Sequence, residues 1–377
     1  MNQNNRCLLN VLLIFVIFLS ISGFLEDLKN TFQYGGVDLR NRVVGARLLR
    51  REIDPYFYKW QTGDPLELLD PRDKAENEVN MVTVPPSLLL LLSPFAEVRY
   101  DIQRVVWFVI QWLLLLLSVF LIAETAGDED TKKMVWLLSL FFIGSSFFWR
   151  LHVERGQIYI FYTALLSVIY HLEKKHKSTK IGSSIILGIA VILRPTLIFM
   201  TIPFLLYKRW KLIRGTIYGG LTAFSLSLIL AGWKVWQSYF SAMKIHGAIH
   251  LSDIHYAASS YPHSNIEGIG NLYGLANIPI FDSSIQELLK SLGIILPGYV
   301  LLIAFLLLVV CGVAVVRKKK IRLTNDQQFL AGLLLAFLVD FFLPAPRFPY
   351  NNVMFLPILA ILVLEQCTFL SGSNTKQ

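Results

Sequence analysis

Charge is scarce in this sequence. Only 16% of its 377 residues are Asp, Glu, Lys or Arg, against about 25% in a soluble globular chain. Cysteine is scarcer: Cys7, Cys311 and Cys367 all lie in or beside apolar runs, which excludes a disulfide framework and a C-x-x-C metal site. The signatures of soluble enzymes are missing as well. There is no G-x-G-x-x-G turn for a dinucleotide, no H-E-x-x-H zinc helix and no G-x-S-x-G nucleophile elbow. No internal repeat or low-complexity tract occurs.

What remains is apolar: 54% of residues are hydrophobic and the mean hydropathy is +0.53. A single integral membrane domain over 1–377 accounts for this better than two or three soluble ones. The net charge of +9 would suit a nucleic-acid partner, but its distribution points elsewhere. Three short loops carry much of it: Lys174, Lys175, Lys177 and Lys180; Lys208, Arg209, Lys211 and Arg214; and Arg317, Lys318, Lys319, Lys320 and Arg322. The positive-inside rule places all three in the cytoplasm, so no nucleic acid is expected.

Apolar runs occupy about 8–24, 82–96, 105–123, 133–149, 157–172, 181–207, 215–231, 293–316, 329–343 and 351–369. The first lacks a small-x-small cleavage site and reads as an uncleaved span. Run 181–207 lies between two cytoplasmic loops, so it should enter and return, with Arg194-Pro195 at the tip; a tilted single helix is the alternative. Counting crossings from both ends leaves a mismatch of one, which falls on 82–96, a short run with Pro85, Pro86 and Pro94. The expectation is an all-α bundle of about nine to eleven membrane segments, with two large polar loops, 25–81 and 232–292, on its external face.

Chemistry-bearing residues concentrate on that face. In 25–81, Asp38 precedes a helical stretch in which Arg40, Arg47 and Arg51 fall within about 40° of one another on a helical wheel. The stretch Asp38–Arg51 reads as an amphipathic helix on the outer interface, its arginines holding lipid phosphates or simply solvated. Asp38 has two readings: helix N-cap, or general base toward an acceptor hydroxyl. Arg194 is an intramembrane cation, able either to stabilise a departing phosphate or to snorkel to the interface. His246 and His250 have the spacing of two ligands on a helix, but Asp253 is the one carboxylate near them, so no metal is expected.

The order of several short features resembles a known family. Asp38, then Ala46, Leu48, Leu49 and Asp54-Pro55-Tyr56, resembles the first external loop of C-type membrane glycosyltransferases. The branch concerned is the polyprenyl-phosphate-sugar-dependent alpha-mannosyltransferases, which include the bacterial phosphatidylinositol-mannoside mannosyltransferases. Pro85-Pro86, Gly156-Gln157, Gly182 and Gly188 before Arg194-Pro195, Trp210, Asn265, and Arg347 with Tyr350 follow in the order of that branch. Two departures stand out. Arg194 occupies a position usually held by Lys, and Phe348-Pro349-Tyr350-Asn351-Asn352 replaces a His-containing stretch.

The resemblance implies a C-type fold in a bacterial plasma membrane and an inverting transfer with Asp38 as base. The sugar would be mannose or another hexose, moved from a polyprenyl-phosphate donor to a lipid or glycan hydroxyl at the external face, without a cofactor or metal. Arg194, Arg40, Arg150, Gln157, Arg347 and Tyr350 are then candidates for the donor phosphate or sugar. His263, Asn265, Glu267 and Asn351 are candidates for acceptor or sugar contacts. The competing class is a transporter or flippase for a lipid-linked substrate, to which the long loop 25–81 and the lack of two matched halves are poorly suited.

Overall fold

The computed structural model describes residues 3–70, 72–175, 180–251, 282–343 and 345–373. Every apolar run forms helix, and no strand forms among the described residues. In chain order the helices are α1 (Gln3–Gln33), α2 (Val37–Arg50), α3 (Pro86–Leu92), α4 (Tyr100–Ala123) and α5 (Glu129–Ser139). Next come α6 (Phe147–Arg155), α7 (Tyr159–Lys175), α8 (Lys180–Leu193), α9 (Thr201–Leu206) and α10 (Trp210–Ala231). The last are α11 (Trp233–Leu251), α12 (Ile285–Ser291), α13 (Gly298–Lys318), α14 (Asn325–Phe342) and α15 (Leu356–Ser373).

Among the described residues, five helices are long and apolar enough to cross a membrane: α1, α4, α10, α13 and the run Pro349–Cys367 that ends in α15. A sixth span arises if α5 and α6, bent by 61° around a π turn at Leu140–Gly144, are taken as one; an inserted residue of this kind is a common cause of sharp bends. Shorter apolar helices among the described residues are Pro86–Phe95, Ile181–Leu193 and Pro195–Leu206. Pro86–Phe95 would rise about 15 Å, half of the ~30 Å hydrocarbon core. With no water to bond in that core, the backbone must satisfy itself, which is why these runs form helices throughout.

The run 181–207 goes in and comes back. Ser183 near its start and Arg209 just past its end both bond the Glu173 carboxylate, so both ends sit together. α8, with 14 residues, rises about 21 Å. The 3₁₀ turn Pro195–Met200 and α9, six residues each, descend by about the same. The arms lean on different neighbours, α8 on α10 and the return arm on α14. Glycines permit the first contact: a Cβ on Gly188 would lie 2.2 Å from the Thr216 carbonyl oxygen, and one on Gly219 2.3 Å from that of Ile185. Gly215 and Gly219 form the G-x-x-x-G face that brings membrane helices close.

The two ends of the bundle differ in chemistry. At one end the basic loops meet: Lys174 pairs with Asp326 and Lys175 with Glu124, while Tyr207 donates to the Ile321 carbonyl at 2.9 Å. From there α8 and α14 run toward the other end, and α4, α7 and α15 run back. A core including Trp112, Trp149, Tyr170, Phe204 and Phe329 fills the space between them. The opposite end, formed by α2, the start of α4, the end of α6 and the Arg194 and Tyr350 turns, holds the polar centre.

One expectation is overturned here. α2 is not an interfacial helix: every residue from Val37 to Leu48 is buried. Arg40 donates to the Leu66 and Leu69 carbonyls at 2.9 and 3.4 Å. Arg47 takes those of Ala96, Glu67 and Val98, and Arg51 pairs with Glu67 and Glu97. The arginine stripe binds the loops folded over it, which need donors for buried carbonyls, and does not face lipid.

Candidate functional site

Two left-handed glycines set the geometry around Asp38. Gly36, at φ 56°, opens α2, and Gly156, at φ 66°, closes α6. Both pack against Arg104 of α4, and a Cβ on Gly36 would stand 2.5 Å from its Nε. Arg104 donates to the Val153 and Glu154 carbonyls at 3.0 and 2.6 Å, and Tyr100 Oη donates to Gly35 and Gly36 at 2.7 and 2.8 Å. The start of α2 is thereby pinned to the end of α6.

Asp38 lies in the first turn of α2 and is 2% exposed. The N-cap of α2 is Gly36, and Asp38 lies inside the helix, so the N-cap reading does not hold. The carboxylate instead accepts from Arg72 Nη1 at 2.5 Å, from Gln157 Nε2 at 2.7 Å and from Arg155 Nε. Arg42 completes the cluster, donating to the Asp38 carbonyl at 2.9 Å and to Gln157 Oε1 at 2.6 Å. Burial alone would raise the Asp38 pKa, but Arg155, Arg72 and Arg42 together hold it well below the usual carboxylate range. Arg72 is presented by its loop: Asp70 accepts from Asn41 of α2 and from the Arg72 amide. Lys59 ties Asp73 to the Lys74 and Val79 carbonyls.

A second guanidinium–carboxylate centre adjoins the first. Arg194, at the tip of the returning run, bonds Asp340 of α14 and lies over the rings of Tyr159 and Tyr162, 4.8 and 5.5 Å from their centroids. Snorkelling is therefore not its role. Tyr350 joins the two centres, with its ring 5.8 Å from that of Tyr159 and under Arg155 at 5.5 Å. Arg347, 2% exposed, rests on Phe337 and Phe341 and donates to Ser283 Oγ and Asn352 Oδ1 at 2.9 and 2.7 Å. Burial pushes its guanidinium down to about 10, with Asp340 the main opposing charge. Among the described residues, the buried Arg194 Nε, Arg347 Nε and Asn351 Oδ1 have no bonding partner.

The candidates read from the sequence thus separate. Asp38, Gln157, Arg194, Arg347, Tyr350 and Asn351 lie in or beside the two centres. Arg40 does not, because loop carbonyls and the Tyr100 ring, 4.9 Å away, take its guanidinium. Arg150 turns toward α1, its Nη2 3.9 Å from where a Cβ on Gly23 would stand, and its charge acts on Asp27. The cation that α6 gives to Asp38 is Arg155, about 140° around the helix from Arg150. His246 is engaged by the Asn80 carbonyl at 3.0 Å. His263, Asn265 and Glu267 lie outside the described residues.

Four residues escaped the sequence reading: Arg42, Arg72, Arg155 and Asp340. Arg155 directly precedes the Gly156-Gln157 pair that the family resemblance used. Asp340 is the one acid in the apolar run 329–343, and a lone intramembrane carboxylate calls for a cationic partner, so Arg194 could have been paired with it.

Fold and site define a polytopic, all-helical membrane protein whose polar centre is built from paired guanidinium and carboxylate groups. The model of glycosyltransferase family 87 matches residues 83–346. The chain belongs to that family, and its activity is glycosyl transfer in a membrane. No curated protein and no solved structure matches it. The matched segment contains Arg155, Gln157, Arg194 and Asp340; Asp38 and Arg72 precede it, and Arg347 and Tyr350 follow it.

Proposed function

We propose that the protein transfers a sugar, mannose or another hexose, from a polyprenyl-phosphate donor to a hydroxyl of a lipid or glycan acceptor. The observation that carries this reading is the Asp38 carboxylate, buried and engaged by Arg72, Arg155 and Gln157. The acceptor oxygen attacks the anomeric carbon, the bond from that carbon to the phosphate oxygen breaks, and Asp38 takes the hydroxyl proton. A single displacement of this kind inverts the anomeric centre. A phosphate leaving group needs positive charge rather than a protonating acid, and the arginines provide it.

Held by two guanidinium groups, Asp38 is a weak base. A donor phosphate entering beside it competes for Arg72 and Arg155, and as charge builds on the leaving phosphate they turn to it and the carboxylate gains basicity. Neither metal nor cofactor belongs to this reading, because fixed cations already surround the place of the leaving group. The gathering of the basic loops at the far end supports a cytoplasmic assignment for that end and an external one for the site, in a bacterial plasma membrane.

The test uses purified protein in lipid, a panel of radiolabelled polyprenyl-phosphate sugars and a membrane lipid extract as acceptor, with Asp38→Asn alongside. Transfer by the wild type that is lost in the folded variant supports both donor class and base. Equal transfer by both removes Asp38 from the chemistry, and no transfer from any polyprenyl-phosphate sugar rejects the donor class.

A further inference from the structure

We infer that Asp340 is a positioning residue for the transfer, a resident counterion that yields Arg194 to the phosphate as the phosphate gains its second charge on leaving. This rests on the polyprenyl-phosphate reading above. Three observations support it. Arg194 sits about 21 Å up a 14-residue helix, within the hydrocarbon depth, where an uncompensated cation is costly. Asp340, 6% exposed, is the carboxylate bonded to it. The Arg194 Nε remains without a partner among the described residues, so the guanidinium has a direction of bonding that Asp340 does not use.

The charges give the pairing its effect. Before transfer, the donor phosphate is a diester with one negative charge, no stronger than the Asp340 carboxylate as a claimant on Arg194. As the bond to the anomeric carbon breaks, the electron pair stays on the phosphate oxygen and the leaving monoester acquires a second charge. Arg194 then favours the phosphate. A cation that engages only as charge develops lowers the barrier, whereas one that binds ground state and transition state alike does not. The tyrosine faces beneath Arg194 hold its plane while its bonding partner changes.

Without the competing carboxylate, Arg194 would hold phosphate too early and too long. Asp340→Asn should therefore bind radiolabelled polyprenyl monophosphate about tenfold tighter than wild type in phosphatidylcholine nanodiscs, the scale of one charge-assisted bond. Polyprenol without phosphate serves as the control and should bind both equally. In transfer assays the variant should show a lower KM for donor together with a lower kcat, and Asp340→Glu should restore both. If Asp340→Asn does not fold, Asp340→Ser leaves room for a water on Arg194 and must show the same tighter binding. A merely structural Asp340 predicts weaker or unchanged phosphate binding in whichever neutral variant folds, and that result overturns the inference. If the wild type binds polyprenyl monophosphate no better than polyprenol, the donor reading falls and this inference falls with it.

Discussion

Asp38 is both a structural counterion and the proposed base, and a double substitution separates the two roles. In Asp38→Asn, Arg155 and Arg72 keep their charges over an amide, in a place where Asp38 was 2% exposed. Breaking a buried pair from one side costs about 3–5 kcal/mol of stability. Loss of a general base costs about 10²–10⁴ in rate, which is a barrier of similar size, so inactivity of the single variant alone is ambiguous. Adding Arg155→Gln removes the more deeply buried of the two stranded charges and should return the unfolding midpoint part of the way to wild type. Transfer by the double variant should stay at or below that of Asp38→Asn, because no base has been restored. Arg155→Gln alone should lose stability yet keep measurable kcat with a raised KM for donor. The measurements are thermal unfolding in nanodiscs and transfer rates at equal amounts of folded protein. Recovery of transfer along with stability in the double variant would show that Asp38 acts only as a counterion.

Other expectations concern the parts around the site. His246 is pushed down to about 4 by burial, although its bond to the Asn80 carbonyl acts the other way. Protons then favour the unfolded chain below its ordinary value of 6.5, so stability present above that pH is lost between about 6.5 and 4, by at most ~3 kcal/mol; His246→Gln should flatten that slope in pH-dependent unfolding. Asp38, with its pKa depressed, contributes stability above about pH 4 that declines only at lower pH, so the same titration should show no Asp38-dependent change from pH 5 to 8. Gly219→Leu, whose Cβ would meet the Ile185 backbone at 2.3 Å, should separate α8 from α10 and lower the yield of folded protein. Arg40→Ala should destabilise by about 1–3 kcal/mol, leaving two loop carbonyls unbonded, while the donor KM of the folded fraction stays unchanged; a large rise in KM would return Arg40 to the donor site.

The fold was legible wherever composition decides the outcome. Apolar runs of membrane length had to be helical, and the cationic loops around 181–207 forced that run to return. Asp38, Gln157, Arg194 and Tyr350 could be picked out because each sat at a break in the apolar pattern or in a resembled motif. The fate of α2 was hidden, since a stripe of arginines looks the same on a wheel whether it faces lipid or the carbonyls of loop 66–69 and the turn at 96–98. Partner choice was hidden for the same reason. Periodicity places Arg150 and Arg155 on one short helix but does not say that the first turns to Asp27 and the second to Asp38.

The two centres share a logic that follows from where they sit. A site for a lipid-borne phosphate must lie within reach of the membrane and must hold cations there before the phosphate arrives. Bare guanidinium groups in that setting would destabilise the empty protein, so each requires an anion of its own. Asp38 supplies one for Arg155 and Arg72, and Asp340 one for Arg194. Either carboxylate can release its arginine when phosphate takes the place of the counterion. In the proposed transfer, that release at Asp38 creates a base beside the acceptor and at Asp340 a cation beside the leaving group. In the proposed transfer one event, the breaking of the bond between sugar and phosphate, can thus activate both halves of the displacement, with Tyr350 and Tyr159 lying between the two centres.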